Sequence, residues 1–107
     1  MALVTAEPDK KYDPVTAAQA ANSLLKISGI KASFVITKRP DDQIGISARS
    51  DGSFNVQLVM ERLGGGGHLS SGATQVKNQT VDKTKRLLIK AIQIVNQQEI
   101  PHNPQTK

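Results

Sequence analysis

Apolar residues recur along the chain with two different periods, and the changes between them predict its secondary structure. Three segments repeat apolar residues every three to four positions, which is the spacing of one helix face. We expect these helices to begin at Asp13, Ser53 and Thr80, because such residues cap helix N-termini well. Pro14 suits the first turn of the first helix, and Gly29 is expected to end it. The three apolar faces are Ala17, Ala20, Ala21, Leu24 and Ile27; Val56, Val59, Met60 and Leu63; and Val81, Leu88, Ala91, Ile92 and Val95.

Four other segments are β-branched or alternate between apolar and polar residues, which predicts strands. They cover Ala2–Thr5 and residues 32–36, 43–50 and 73–76. A polar turn between the second and third strands predicts an antiparallel hairpin. The order of elements predicts a single compact α/β domain, in which a mixed sheet of about four to five strands is flanked by three helices. We expect residues 101–107 to form a disordered polar tail.

Net charge and aromatic content restrict the class of partner. The 107 residues include 14 Lys and Arg against 9 Asp and Glu. The resulting net charge of +5 favours an anionic partner such as a nucleotide, a nucleic acid or an anionic lipid, although ordinary solubilising charge explains it equally well. Tyr12, Phe34 and Phe54 are the only aromatic residues, so the chain lacks the stacking platforms of a broad single-strand nucleic-acid groove.

Cysteine and apolar content indicate the compartment. The chain has no cysteine, which excludes disulfides and thiolate metal sites and agrees with a cytoplasmic location. No apolar run reaches the roughly 20 residues of a membrane span. We therefore expect no direct membrane contact from this segment.

Four consecutive glycines, Gly64 to Gly67, are the most distinctive local feature. Glycine backbones take left-handed conformations and can present several unpaired N–H groups to one anion. His68 follows at once, and Ser70 and Ser71 add hydroxyl donors. The run has neither the Lys-Ser/Thr ending of a P-loop nor a complete G-x-G-x-x-G fingerprint. Two readings remain open: an anion cradle, and a flexible linker or helix stop.

Arg49 is the best companion for the glycine run. It ends a predicted strand and lies on the face opposite Ile44, Ile46 and Ala48, where its guanidinium could bind a phosphate in a bidentate manner. An exposed arginine on an open sheet face is the alternative. Asn55, early in the second helix, could touch a base, or could serve only as a cap or surface residue.

The chain lacks the residues of a self-sufficient catalyst. Its acidic residues are dispersed, and the only adjacent pair, Asp41 and Asp42, lies in a predicted turn. Neither His68 nor His102 has a partner at metal-ligand spacing, and nothing nominates a serine triad. The residues therefore indicate a binding domain without a metal site or catalytic residue of its own.

Three segments taken together resemble a known family. They are ISARS at residues 46–50, NVQLVMERL at 55–63 and GGGGHLSSGA at 64–73. They resemble the C-terminal DHH-associated domain of DHH-family phosphoesterases, and look most like the membrane-anchored cyclic-di-AMP phosphodiesterases of the GdpP type. The likeness extends from about Asp13 to Val95, and the combination of Arg-Ser with Gly-Gly-Gly-His is specific.

The resemblance implies that catalysis and substrate binding are carried out by two different domains. A separate DHH domain of the same polypeptide would bind two Mn²⁺ ions and hydrolyse cyclic-di-AMP to pApA, while residues 1–107 would bind substrate and not hydrolyse it alone. The parent protein would be anchored in the bacterial membrane with this domain in the cytoplasm, and a dimer is conceivable. The implied substrate-binding residues are Arg49, Ser50, Asn55, Gly64, Gly65, Gly66, Gly67, His68 and Ser71.

Two rival readings stay open. The first is the equivalent domain of an oligonucleotide-degrading relative of the RecJ or nanoRNase kind, whose partner would be a short oligonucleotide. The second is a non-catalytic RNA-binding module similar to the C-terminal domain of alanyl-tRNA synthetases. The scarcity of aromatic residues argues against the second.

Overall fold

A five-stranded mixed sheet is the centre of the fold in the computed structural model, which describes residues 2–5, 11–77 and 79–99. The strands are β1 (Ala2–Thr5), β2 (Ala32–Lys38), β3 (Ile44–Ser50), β4 (Gly66–His68) and β5 (Ser71–Val76), and the helices are α1 (Pro14–Leu25), α2 (Val56–Arg62) and α3 (Val81–Glu99). The strand order is β1-β2-β3-β5-β4, with β1 and β2 parallel and the other neighbours antiparallel. The predicted α/β class, with a mixed sheet and three flanking helices, is confirmed.

The main core lies on one face of the sheet, beneath α2 and α3. Phe34 and Ile46, on β2 and β3, pack there against Met60 of α2 and Leu88 of α3, all fully buried. Burial of each such side chain stabilises the folded state by about 1.5–3 kcal/mol relative to leaving it in water. The ring of Phe54 meets that of Phe34 edge to face, with centroids 6.4 Å apart. The main hydrophobic core therefore lies on this side of the sheet, and the opposite side is packed differently.

Helix α1 covers part of that opposite face. Its buried residues are Ala17 and Ala21, whose small side chains let the helix lie close to β2 and β3. The buried Ser33 hydroxyl donates a hydrogen bond of 2.7 Å to the Ala21 carbonyl. The predicted apolar face was too long, because α1 ends at Leu25 and Ile27, beyond it, is 55% exposed.

Gly29 does not itself end α1. Lys26 is the C-cap residue, and Gly29 adopts a φ of 86° in the turn that follows. The N-terminus of α1 agrees with the prediction: the Asp13 side chain accepts a bond of 2.7 Å from the Thr16 N–H. This bond lowers the pKa of the Asp13 carboxyl, because it favours the charged form.

The predicted cap of α2 was wrong by two residues. Asp51 accepts hydrogen bonds from both the N–H and the hydroxyl of Ser53, which holds Ser53 in a turn. Asn55 is the cap instead, and its Oδ1 accepts a bond of 3.3 Å from the Leu58 N–H. The capping role considered for Asn55 is therefore confirmed.

The third helix begins after Thr80 as predicted, with the Thr80 hydroxyl accepting from the Lys83 N–H at 3.1 Å. Leu88, Ala91 and Val95 form its buried stripe. Its exposed side is basic, as at Lys83 and Arg86. Within the described part of the chain, no helix combines the length and apolar character needed to cross a membrane. The predicted tail at residues 101–107 lies outside the described residues.

Candidate anion-binding site on the open face of the sheet

Cross-strand pairing brings Arg49, Ser71 and His68 into one row. Arg49 of β3 pairs with Ser71 of β5, and Ser71 pairs with His68 of β4. Paired residues project to the same side of a sheet, so all three side chains lie on the face that carries α1. Ser33, the next residue in the row, is buried beneath α1, whereas Ser71 is half-buried and His68 is exposed. The row therefore runs from beneath α1 to the edge strand β4.

The surface around this row is open and has a floor of small residues. We call the α1 side of β4 and β5 the open face; its members are Gly66, His68, Ser71, Ala73 and Gln75. Ala73 and Gln75 are exposed, while the intervening Gly72 and Thr74 are buried on the core side. A Cβ added to Gly66 would meet no atom within 4 Å. A ligand can thus approach the backbone here without meeting a side chain.

The first two glycines of the run end helix α2. Gly64 has a φ of 88°, its N–H donates to the Glu61 carbonyl at 3.1 Å, and the Gly65 N–H donates to the Met60 carbonyl at 2.8 Å. These are the two bonds of a Schellman motif, which satisfies carbonyls at a helix C-terminus. The expectation that these two residues present unpaired N–H groups to an anion was therefore wrong.

The other glycines permit a tight antiparallel hairpin. A Cβ on Gly65 would overlap the Ala73 carbonyl, and one on Gly67, whose φ is 141°, would overlap the Ser71 carbonyl. Gly66–His68 forms a short strand that is not among the four predicted from the sequence. The linker reading is excluded, because the run is bonded to α2 on one side and paired with β5 on the other.

The Arg49 guanidinium is held over the sheet. Its Nη1 donates a bond of 2.7 Å to the Ala48 carbonyl, and the side chain is half-buried. A guanidinium has five N–H donors, and this bond uses one of them. Among the described residues no acidic side chain forms an ion pair with Arg49. Most of its donors therefore remain for an anion.

Ser50 supports the site from behind. It points to the core side and is 5% exposed. Its hydroxyl accepts from the Gly52 N–H at 3.1 Å and donates to the Leu69 carbonyl at 3.4 Å, while its N–H donates to the Ser70 carbonyl. These bonds fix the turn that joins β4 to β5. Of the nine predicted residues, the structure brings Gly66, His68 and Ser71 together on the open face, with Arg49 beside them on β3.

The described residues contain no group of three or more His, Cys, Asp or Glu side chains that could hold a metal ion. The acid nearest in sequence to Arg49, Asp51, is occupied with Ser53. Those hydrogen bonds lower the pKa of the Asp51 carboxyl, since they favour its charged form. The site thus offers cationic and neutral donors, which suit an anion better than a cation.

Sequence reasoning missed a polar cluster at the far end of the open face. The Gln75 side chain donates to Asp41 at 3.1 Å and to the Gln43 carbonyl oxygen. The alternation of residues 71–76 was a usable signal, since it places Gln75 on the same side as Ser71. The partner residues are more than 30 positions away along the chain, so spacing alone could not connect them.

The α/β domain thus places an arginine, a serine and a histidine in one row beside a glycine hairpin. Its sequence then assigns the family: the family model described as the DHHA1 domain matches residues 1–97, and the chain belongs to that family. The resemblance to the DHH-associated domain, drawn from three short segments, is confirmed.

Similar proteins agree with this assignment. The chain is 55% identical over 92 residues to the cyclic-di-AMP phosphodiesterase PdeA of Listeria monocytogenes, and 49% identical over 92 residues to the cyclic-di-AMP phosphodiesterase GdpP of Geobacillus thermodenitrificans. Each match covers 86% of this chain, which spans only 14% of the relative's length. An exopolyphosphatase-related protein from Bacteroides fragilis shares the fold, with a TM-score of 0.69 and 20% identity over 82% of this chain and 26% of that one.

Proposed function

We propose that this chain is the substrate-binding domain of a cyclic-di-AMP phosphodiesterase, and that its open face holds a phosphate of the substrate. The observation that carries the proposal is the row formed by Arg49, Ser71 and His68 beside Gly66. Two relatives at 49–55% identity that are named as phosphodiesterases of this nucleotide support the choice of substrate. The basic net charge of +5 is in keeping with an anionic ligand.

Each residue of the row has a distinct task in this proposal. Arg49 supplies charge and planar donors for two phosphate oxygens. Ser71 and His68 donate further hydrogen bonds from the neighbouring strands. Gly66 leaves the space into which the phosphate fits. Because strand pairing holds the backbone of all four residues, little backbone reorganisation would be needed when the anion arrives.

The chain spans only 14% of the length of its phosphodiesterase relatives, and this domain would supply one part of a complete site. A second domain closing over it would exclude water and strengthen the electrostatic contacts. We assign that role to a DHH domain of the same polypeptide, in a parent anchored to the membrane. The described residues of this chain do not fit a metal site, so the Mn²⁺ ions implied by the family would be held by that DHH domain. The isolated chain would not hydrolyse the substrate.

Turnover by the full-length protein tests the proposal. With Mn²⁺ present, we expect cyclic-di-AMP to be converted to pApA at a higher kcat/KM than a short oligoribonucleotide. A preference for the oligoribonucleotide would replace this function with that of a nanoRNase-like or RecJ-like relative. No turnover of either, with binding to long RNA that weakens steeply as salt rises, would indicate an RNA-binding module.

A further inference from the structure

The two ends of the open face differ in chemistry. Ser71, beside Arg49, and Gln75 lie on the same strand and the same face, four residues apart, which is about 13 Å along a β-strand. Between them lies Ala73, which pairs with Gly66 and offers only a methyl group. A nucleotide whose phosphate lies at the Arg49 end would therefore extend its sugar and base over this small floor towards Gln75.

Asp41 determines which side-chain atoms at the Gln75 end of the open face donate hydrogen bonds and which accept them. A carboxylate only accepts hydrogen bonds, so the side-chain nitrogen of Gln75 must face Asp41, as it does at 3.1 Å. The same nitrogen donates to the Gln43 oxygen, which leaves the Gln43 nitrogen on the outer side. Asp41 also accepts from the Gln43 backbone N–H at 3.1 Å, which ties the cluster to the turn. The groups left for a ligand are one acceptor, Gln75 Oε1, and one donor, Gln43 Nε2.

The Arg39 side chain lies beside Gln75 at this end of the open face. Gly45 pairs with Gln75, and a Cβ on Gly45 would overlap the Arg39 guanidinium, so the arginine takes the place of a side chain there. The Arg39 Nε is buried and has no hydrogen-bond partner among the described residues. A ligand extending from Arg49 therefore meets a polar wall of Arg39, Gln43 and Gln75.

We propose that Gln75 and Gln43, oriented by Asp41, read the base of the nucleotide. This inference rests on the function proposed above. The acceptor and donor match a purine that offers an amino donor next to a ring-nitrogen acceptor, as adenine does with N6 and N7. The corresponding edge of guanine offers two acceptors, O6 and N7, and satisfies only one of the two glutamines. Gln75 is thus the specificity-determining residue for a 6-aminopurine, and Gln43 aligns the base by binding a purine acceptor.

The test compares cyclic-di-AMP with cyclic-di-GMP as substrates of the full-length protein. Gln43→Leu is expected to lower both kcat/KM values about equally, because the Gln43 donor can serve an acceptor of either purine. Gln75→Leu is expected to reduce the ratio of the two kcat/KM values by about tenfold, the effect of about 1.4 kcal/mol of discrimination. The loss should fall on cyclic-di-AMP and appear mainly in KM. Asp41→Asn should weaken the preference as well, because an amide can both donate and accept and no longer imposes one orientation on Gln75.

Gln57→Leu is the matched control. Gln57 also donates to a carboxylate, that of Glu61 at 3.1 Å, but it lies on helix α2. Its replacement should leave the ratio unchanged. Equal losses for both substrates in Gln75→Leu would show that the cluster only stabilises the turn, and unchanged values would show that no base contacts it; either result overturns the inference. Wild-type protein inactive on cyclic dinucleotides would instead defeat the proposed function.

Discussion

Arg49 and Ser71 are direct partners across strands β3 and β5, and their side chains share one face of the sheet. Their separation along the chain is bridged by helix α2 and the glycine hairpin, which return the chain to the sheet beside β3. His68 then pairs with Ser71 and extends the row to the edge strand. Three strands thus each contribute one donor, and the spacing of those donors depends on strand register rather than on loop conformation.

Arg49→Ala should lower kcat/KM for cyclic-di-AMP in the full-length protein by about 10- to 100-fold. The loss corresponds to about 1.5–3 kcal/mol, the contribution of hydrogen bonds to a charged group. Arg49→Lys should recover only part of it, because an ammonium cannot bind two oxygens in the planar geometry of a guanidinium. Steady-state kinetics of the two variants measures both effects.

Arg86→Ala provides the charge-matched control. Arg86 is exposed on α3, which packs on the core side of the sheet, so its removal lowers the net charge equally without touching the open face. Kinetics close to wild type are expected. Equal losses in the Arg49 and Arg86 variants would mean that the general positive field, and not this row, attracts the substrate.

Gly66→Val and Gly67→Ala should separate loss of function from loss of fold. Gly66 has no positive φ and open space at its Cβ position, so valine is compatible with an edge strand and the thermal unfolding temperature should stay near wild type. Turnover should nevertheless be abolished, because valine fills the space reserved for the phosphate. Gly67→Ala should unfold at a lower temperature, since alanine is strained at a φ of 141° and overlaps the Ser71 carbonyl.

Turnover by Gly66→Val at the wild-type rate would place the substrate elsewhere. A glycine can be required because it permits backbone conformations closed to other residues. In the structure that reason applies to Gly64 and Gly67, whose φ values are positive. At Gly66 the structure shows only open space at the Cβ position, which the proposed function assigns to the ligand.

His68→Ala should cause a milder loss, about tenfold in kcat/KM, with bound Mn²⁺ unchanged. His68 is exposed at the end of the row, so its ring donates one hydrogen bond whose loss costs about 1.4 kcal/mol at most. Metal analysis of the purified protein accompanies the kinetics. If Mn²⁺ were lost along with activity, His68 would be a metal ligand and not a phosphate contact.

The face of the sheet on which Arg49 lies could be predicted from the sequence. In a strand the side chains alternate, and Ile44, Ile46 and Ala48 required a buried face, so Arg49 had to lie on the other one. The helices could be placed because their apolar stripes repeat at helical spacing. Asn55 replaced Ser53 as a cap because Asp51, two residues earlier, binds the Ser53 hydroxyl.

The arrangement of the glycine run could not be predicted in the same way. Glycine has low strand propensity, so Gly66–His68 gave no local signal for the edge strand that it forms by pairing with β5. The use of the Gly64 and Gly65 N–H groups depends on where α2 ends, which a sequence defines only to within a few residues. The contact of Gln75 with Asp41 depends on register between distant strands.

Asn55→Asp should distinguish a capping residue from a substrate contact. Aspartate caps a helix as well as asparagine does, and its charge is favourable at a helix N-terminus, so stability should be kept. A carboxylate would however repel a phosphate, and if Asn55 contacts the substrate as the family resemblance implies, we expect kcat/KM to fall at least about tenfold. Asn55→Ala should instead lose about 1 kcal/mol of stability through the missing cap.

Gln93→Glu, an exposed position on α3, adds the same negative charge away from the site and should leave the kinetics unchanged. Thermal unfolding and steady-state kinetics of the three variants complete the comparison. Wild-type turnover by Asn55→Asp would restrict Asn55 to its cap on Leu58, and the phosphate would then be held by the row of Arg49, Ser71 and His68 alone. A fall in turnover with unchanged unfolding would extend the site from the sheet to the N-terminus of α2, because no loss of structure could account for it.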